Sequence, residues 1–159
     1  MRYSHLVGAL IVGAAWYQMS NTYVEELKGF GMEAPGVINI SRLEQDQPEI
    51  VELFRQLHGD PQWKTLFKDI SVMWLTPLDY DEADFKQINV PTLIIQGDRD
   101  NFIPVEQAVA MYHMIPESEL AVIPGSDHMG FMQKSKIVKP ILLDFLLRHR
   151  NGISDDGRK

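Results

Sequence analysis

The chain has 159 residues, a length typical of one domain, and 45% of them are hydrophobic, which is enough for a buried core. Its formal net charge of −7 and isoelectric point near 5.1 argue against a nucleic-acid surface, which needs clustered Lys and Arg. The sequence contains no cysteine, so disulfides, thiolate metal sites and a cysteine nucleophile are excluded.

The first apolar run, residues 6–15, allows two interpretations. It has the length of a signal-peptide core. However, Ser4 and His5 before it are untypical of the charged N-terminal segment of a signal peptide, and no clear cleavage site follows. Its β-branched residues favour a buried strand instead. At about ten residues it is too short to cross a bilayer, so we expect a cytoplasmic protein without membrane contact.

Four helices are predicted after this strand. In the second, Asp46 is the expected N-cap, Pro48 lies in the first turn and Gly59 follows the end. Asp60 and Pro61 repeat this arrangement in the third helix. The four segments are NTYVEELKGFG (21–31), DQPEIVELFRQLHG (46–59), DPQWKTLFKDISVMWL (60–75) and DYDEADFKQI (79–88).

The pattern changes after residue 88. The run VPTLIIQG (90–97) is continuously apolar, which is typical of a strand buried on both faces of a parallel sheet. A helix (104–116), a second buried strand, ELAVIPG (119–125), and a final helix (135–150) follow. Strand–helix–strand–helix order with short links predicts an α/β fold with a parallel sheet.

Acidic and imidazole side chains follow the last two predicted strands. The loop GDRDNFIP contains Asp98 and Asp100, and the loop GSDHMGF contains Asp127 and His128. Consecutive parallel strands with a right-handed crossover lie side by side, and functional groups collect beyond their carboxyl ends. An acid and an imidazole there can form the Asp–His part of a nucleophile–His–Asp relay, in which the carboxylate orients the imidazole. Taken singly, Asp98 and His128 suit turns and Asp100 suits a helix cap.

Residues 90–150 resemble the C-terminal segment of the α/β-hydrolase superfamily, in which PTLIIxGxxD-like and PGxxH-like strand ends carry the catalytic acid and base. The resemblance implies that Asp100 is the acid and His128 the base. Asp98, which suits a tight turn, is expected to accept hydrogen bonds from backbone amides of its own turn. It also implies a partial α/β-hydrolase fold with a short, mainly parallel sheet, one structural domain overall. Its parts would be a first core strand (1–16), a helical cap (17–88), a C-terminal core segment (89–150) and a flexible tail (151–159).

The family's nucleophile motif, G-x-S-x-G, is absent from the sequence. No two glycines stand four residues apart, which excludes the serine and aspartate forms alike. One interpretation is a part of an ester-, lactone- or related-bond hydrolase whose nucleophile lies elsewhere, so that the chain alone is inactive. The other is a non-catalytic binding or assembly module derived from that fold.

No cofactor or metal is expected. The segment DRDNFIPVE faintly suggests a calcium loop, but Phe102 and Ile103 occupy positions that need an oxygen ligand and a glycine.

The predicted cap and the first strand each suggest a partner. Trp63, Phe67, Met73 and Trp74 either pack the cap against the sheet or line a pocket for an apolar, ester-like small molecule. The first strand has neither proline nor charge to prevent edge pairing, so we expect a homodimer or higher oligomer.

Overall fold

A computed structural model of the chain describes residues 6–78 and 80–150, with Phe131 and Met132 described by their backbone alone. The chain divides into two compact units. The core unit comprises the described residues of Met1–Gln18 and Asp79–Lys159, and the helical unit is Met19–Leu78. The predicted tail at 151–159 lies outside the described residues.

Within these residues the chain forms eight helices and five short strands. None of the helices is long and apolar enough to cross a membrane. In chain order the elements are β1 (Leu10–Gly13), α1 (Asn21–Gly29), β2 (Met32–Ala34), β3 (Val37–Ile38), α2 (Ile40–Asp46), α3 (Pro48–His58), α4 (Gln62–Leu75), α5 (Glu82–Lys86), β4 (Thr92–Gly97), α6 (Val105–Met114), β5 (Ser118–Ile123), α7 (Gly130–Gln133) and α8 (Ser135–Arg148).

The core unit is built on a three-stranded sheet with the order β1-β4-β5, in which both pairings are parallel. Every residue of the central strand β4 is buried. Successive strand residues face opposite sides, so Ile94 packs against the α6 side chains, whereas Ile95 packs with Ile123 and Val138. This two-sided burial explains the continuous apolar run and confirms the predicted α/β class with a short parallel sheet.

The two outer strands differ from their predictions. β5 was expected to be buried, but Ile123 is its only buried residue and Val122 is 40% exposed. The reason is its place at one edge of the sheet, where no further described strand covers it. β1 lies at the other edge and is shorter than the apolar run that predicted it, with Ile11 39% exposed.

The helical unit contains one helix and one hairpin that were not predicted, α2 and β2–β3. The prediction that Asp46 caps a helix is wrong, because Asp46 is the last residue of α2. Asn39 caps α2 by accepting a hydrogen bond from Arg42 N at 3.1 Å, and α3 begins at Pro48 without a side-chain cap.

Aromatic side chains of α3 and α4 form the interior of the helical unit. Trp63 is fully buried and Phe67 is 4% exposed, and the Phe67 ring lies 4.8 Å from that of Phe54. Asp60 does not cap α4 as predicted. Its carboxylate instead accepts hydrogen bonds from the Trp63 indole and from Arg55 Nε, and thereby joins the two helices.

Candidate active site

The two loops that carry the predicted acid and base begin side by side. β4 and β5 are paired in parallel with Gly97 opposite Ile123, so both strands reach the same edge of the sheet at the same level. The loops after them carry Asp100 and His128. The register of the sheet therefore brings together two residues that are 28 positions apart in the chain.

Asp100 and His128 form a hydrogen bond, with 2.9 Å between Asp100 Oδ2 and His128 Nδ1. This is the contact that the order of the loops predicts. Because an ionised carboxylate can only accept, the imidazole Nδ1–H is the donor, and in the neutral ring Nε2 carries the free lone pair. Among the groups that the structure describes, none hydrogen-bonds Nε2, and the His128 side chain is 35% exposed. Nε2 can therefore accept a proton from an incoming group.

The Asp100 carboxylate is completely buried and accepts four hydrogen bonds. Oδ1 accepts from the backbone amides of Phe102 at 2.9 Å and Ile103 at 2.8 Å, and Oδ2 accepts from Gln96 Nε2 and His128 Nδ1, both at 2.9 Å. Burial by itself raises the pKa of Asp100. The hydrogen bonds from His128, Ile103 and Gln96 outweigh burial and hold the pKa below its ordinary value, so the carboxylate is ionised at neutral pH.

Asp98 does not hydrogen-bond the imidazole, but its partner differs from the predicted one. Its Oδ1 accepts from the backbone amide of Ser126 at 3.2 Å, in the neighbouring loop rather than in its own turn. The amide of Arg99 donates to the carbonyl oxygen of Ser126 at 2.9 Å. Asp98 and Arg99 therefore tie the acid loop to the base loop through both backbone groups of one residue.

Ser126 is the serine nearest to His128 in sequence, and it is 1% exposed. Its Oγ has no hydrogen-bond partner among the described residues, His128 included. An activated serine needs its hydroxyl within hydrogen-bond reach of the base. Ser126 lacks that geometry and serves instead to link the two loops.

The four predicted substrate residues of α4 have two different environments. Trp63 and Phe67 are buried in the interior of the helical unit, whereas Met73 and Trp74 are 62% and 38% exposed. The structure therefore separates a packing pair from a surface pair, and a substrate-binding role for these residues stays a prediction. Within the described residues no group of three or more potential metal-ligating side chains occurs.

Sequence reasoning did not identify Gln96, which directly contacts the proposed acid. The available signal was a single amide side chain in an otherwise apolar strand, immediately before the glycine that ends it. A buried polar group requires a hydrogen-bond partner, and the nearest acceptors lie in the following loop.

Comparison with known proteins identifies the family of this chain. The α/β-hydrolase family model described as "TAP-like protein" matches residues 70–154, more than half of the chain. The chain belongs to the α/β-hydrolase superfamily. Asp100 and His128 both lie within the matched residues.

Individual α/β-hydrolase relatives are longer than this chain. A protein of Synechocystis sp. named "Putative non-heme chloroperoxidase" is 37% identical over 87 residues, which are 54% of this chain and 26% of that protein. NosK from Streptomyces actuosus has a similar fold, with a TM-score of 0.69 at 21% identity, over 94% of this chain and 62% of its own. A thermophilic esterase from Thermogutta terrifontis gives a TM-score of 0.61 at 21% identity, over 96% and 59%.

Proposed function

We propose that this chain supplies the acid and base of a nucleophile–His–Asp hydrolase, acting on a carboxylic ester or a related bond of an apolar small molecule. The observation that carries the proposal is the hydrogen bond of 2.9 Å between Asp100 Oδ2 and His128 Nδ1. The name of the Thermogutta terrifontis relative, an esterase, supports the ester class.

In the proposed reaction, His128 Nε2 accepts the proton of a nucleophilic hydroxyl as that oxygen attacks the ester carbonyl carbon. Asp100 stabilises the resulting imidazolium through Nδ1–H and keeps the ring in the tautomer that leaves Nε2 free. The imidazolium then gives its proton to the departing alkoxide as the carbon–oxygen bond breaks, which leaves an acyl group on the nucleophile. A water molecule, deprotonated by the same nitrogen, then attacks the acyl carbon. The bond from this carbon to the nucleophile breaks, the imidazolium returns its proton to the nucleophile, and the carboxylic acid is released.

The nucleophile must come from a segment outside this sequence, because the sequence contains no G-x-S-x-G motif and Ser126 does not contact His128. The same absence favours a second candidate, a non-catalytic binding or assembly module. The two candidates differ in whether Asp100 and His128 are needed for any activity of an assembled enzyme.

The test is complementation. The part of the Thermogutta terrifontis esterase that this chain does not match is co-expressed with this chain, and hydrolysis of short p-nitrophenyl esters is measured on the purified complex. We expect hydrolysis with the unmodified chain, and a loss of roughly 10³-fold or more with Asp100→Asn or His128→Ala. Asp98→Asn is the matched control and should retain most of the activity. Either partner alone should give no burst of product.

Activity of the complex that is indifferent to both Asp100 and His128 would refute the catalytic role. A stable complex without any hydrolysis would favour the assembly module.

A further inference from the structure

We propose that Gln96 is a positioning residue for Asp100, and that its side-chain amide holds the carboxylate oxygen that faces His128. The inference rests on the proposed function, because it concerns how the acid of that relay is held. Gln96 is the residue of β4 immediately before Gly97, and it is 1% exposed.

The Gln96 amide makes two hydrogen bonds at the same time. Its Nε2 donates to Asp100 Oδ2 and to the carbonyl oxygen of Ile103, each at 2.9 Å. An ionised carboxylate and a carbonyl are both acceptors, so only the NH₂ end of the amide fits this position. The amide therefore spans the loop from the end of β4 to Ile103 and closes the loop around the carboxylate.

Asp100 Oδ2 is shared by Gln96 and His128. The backbone amides of Phe102 and Ile103 both donate to the other oxygen, Oδ1. Without Gln96, the imidazole would be the only described group holding Oδ2, and the base would have to orient its own acid. With Gln96 present, Oδ2 stays in place whether or not the imidazole is in contact.

A neutral amide suits this position better than a charged group. A lysine or arginine here would compete with the imidazole for the negative charge of Asp100. A carboxylate here would repel Asp100, since two carboxylates in hydrogen-bond contact cannot both ionise readily. Glutamine supplies donors without charge, so the charge of Asp100 remains available to an imidazolium at His128.

The test uses the full chain labelled with ¹³C and ¹⁵N, and the variant Gln96→Met, which removes both donors at nearly constant side-chain length. In the unmodified chain we expect His128 in the Nδ1–H tautomer from its ring ¹⁵N shifts. In Gln96→Met we expect a mixture of tautomers and an increase of about tenfold in the proton affinity of Asp100, which is one pH unit in its ¹³Cγ titration.

Thr92→Val is the matched control. Thr92 is fully buried on the same strand, and its Oγ1 donates to the carbonyl oxygen of Val90 at 2.9 Å, four residues and roughly 13 Å from Gln96. It loses a buried hydrogen bond, as Gln96→Met does, but should leave the His128 tautomer and the Asp100 titration unchanged.

Gln96→Glu provides a second test that holds even if Gln96→Met fails to fold. When the new carboxyl is protonated it offers one donor and should restore the Nδ1–H tautomer, and when it ionises the tautomer should be lost. If both the tautomer and the Asp100 titration are unchanged in Gln96→Met, or the tautomer is independent of pH in Gln96→Glu, the positioning role is overturned.

These spectra require no turnover. The expected NMR changes together with an inactive complementation complex would support the role of Gln96 and refute the proposed hydrolase function. The two ideas can therefore fail separately.

Discussion

Gly97 lies directly against the carbonyl oxygen of Ser126. A Cβ atom on residue 97 would be 2.2 Å from that oxygen and 2.8 Å from the carbonyl carbon, so no side chain fits there without moving the backbone. The missing side chain lets the amide of Arg99 reach the same oxygen at 2.9 Å. The absence of a side chain at the end of β4 thus permits the close contact between the acid and base loops.

We expect Gly97→Ala to lower the free energy of unfolding by about 1–3 kcal/mol, the usual cost of overpacking, and to break the bond from Arg99 to Ser126. Urea denaturation measures the first effect, and hydrogen exchange at the Arg99 amide measures the second. Gly29→Ala is the control, because a Cβ there has no atom within 4 Å and alanine suits the end of α1. Equal effects of the two substitutions would contradict the close approach.

The Asp100 carboxylate should make stability depend on pH. Its pKa in the folded chain lies below the ordinary value, so on acidification the unfolded chain takes up this proton first and becomes favoured. We expect this part of the free energy of unfolding to be fully present above pH of about 4 and lost as the pH falls further, by roughly 1.4 kcal/mol per unit of pKa difference. Urea denaturation from neutral pH down to about 3 measures it.

Asp100→Asn removes the carboxyl and should abolish that component of the acid dependence. Asp98→Asn leaves Asp100 intact and should retain it. An acid dependence identical in all three chains would show that the buried carboxylate does not contribute.

Ser126→Ala is expected to leave the free energy of unfolding unchanged or to raise it slightly. The hydroxyl is buried and has no hydrogen-bond partner among the described residues, so its removal breaks no hydrogen bond. The substitution also removes the free-energy cost of burying a polar group without a partner. Both backbone links of residue 126 remain. The complementation complex should also keep its activity with this variant, and a loss comparable to that of His128→Ala would assign the hydroxyl a catalytic role.

Replacement by alanine should have very different effects on stability at Trp63 and at Met73, which both belong to α4. Trp63→Ala removes a fully buried side chain and should lower the free energy of unfolding by about 3–5 kcal/mol. Met73, which is 62% exposed, should change it by no more than about 0.5 kcal/mol when replaced by alanine. Circular dichroism during urea denaturation reports both, and comparable losses would contradict the assignment of Trp63 to the interior.

We propose that β1 mediates self-association of two copies of this chain. Leu10 N donates to the carbonyl oxygen of Pro91, just before β4, and Ala14 N donates to that of Ile95. The alternating Ile11 N–H therefore points away from β4, toward an edge that no other described strand covers. Ile11→Pro should therefore shift a dimer toward monomer in light scattering while the β4 pairing survives. The N–H of Val12 points toward β4, so Val12→Pro should remove a bond of the sheet and unfold the chain. A folded, monomeric unmodified chain at tens of micromolar would contradict the proposal.

Some features of the fold could be predicted because they depend on short segments. The apolar run around Ile94 and Ile95 predicts a strand buried on both faces, and the structure confirms it. The positions of Asp100 and His128 after consecutive strands predict their contact, because neighbouring parallel strands end at one sheet edge.

Other features depend on tertiary contacts that local patterns do not encode. Asp46 stands two residues before Pro48 and resembles a helix cap, but the preceding helix, capped by Asn39, extends to Asp46. The exposure of β5 follows from the strand order, because its apolar stretch from Leu120 to Ile123 would suit a central strand equally well. The contact between Gln96 and Asp100 forms only because the loop after β4 folds back. The sequence therefore indicates that Gln96 is a buried polar residue, but it does not identify the hydrogen-bond partner.

The separation between Asp100 and His128 is governed by the sheet and not by the chain that connects them. Gly97 stands opposite Ile123, and both backbone groups of Ser126 are bound by the neighbouring loop, so the α6 segment between these points only has to return the chain to the start of β5. Insertions next to the exposed Pro116 that keep the buried Ile115 and the bond from Thr92 N to the Glu117 carbonyl oxygen should leave the pair intact. A deletion of one residue within β5 should separate it, because a shift of one position turns the strand's side chains to the opposite face. An engineer who wishes to move the base relative to the acid would therefore edit a strand rather than a helix.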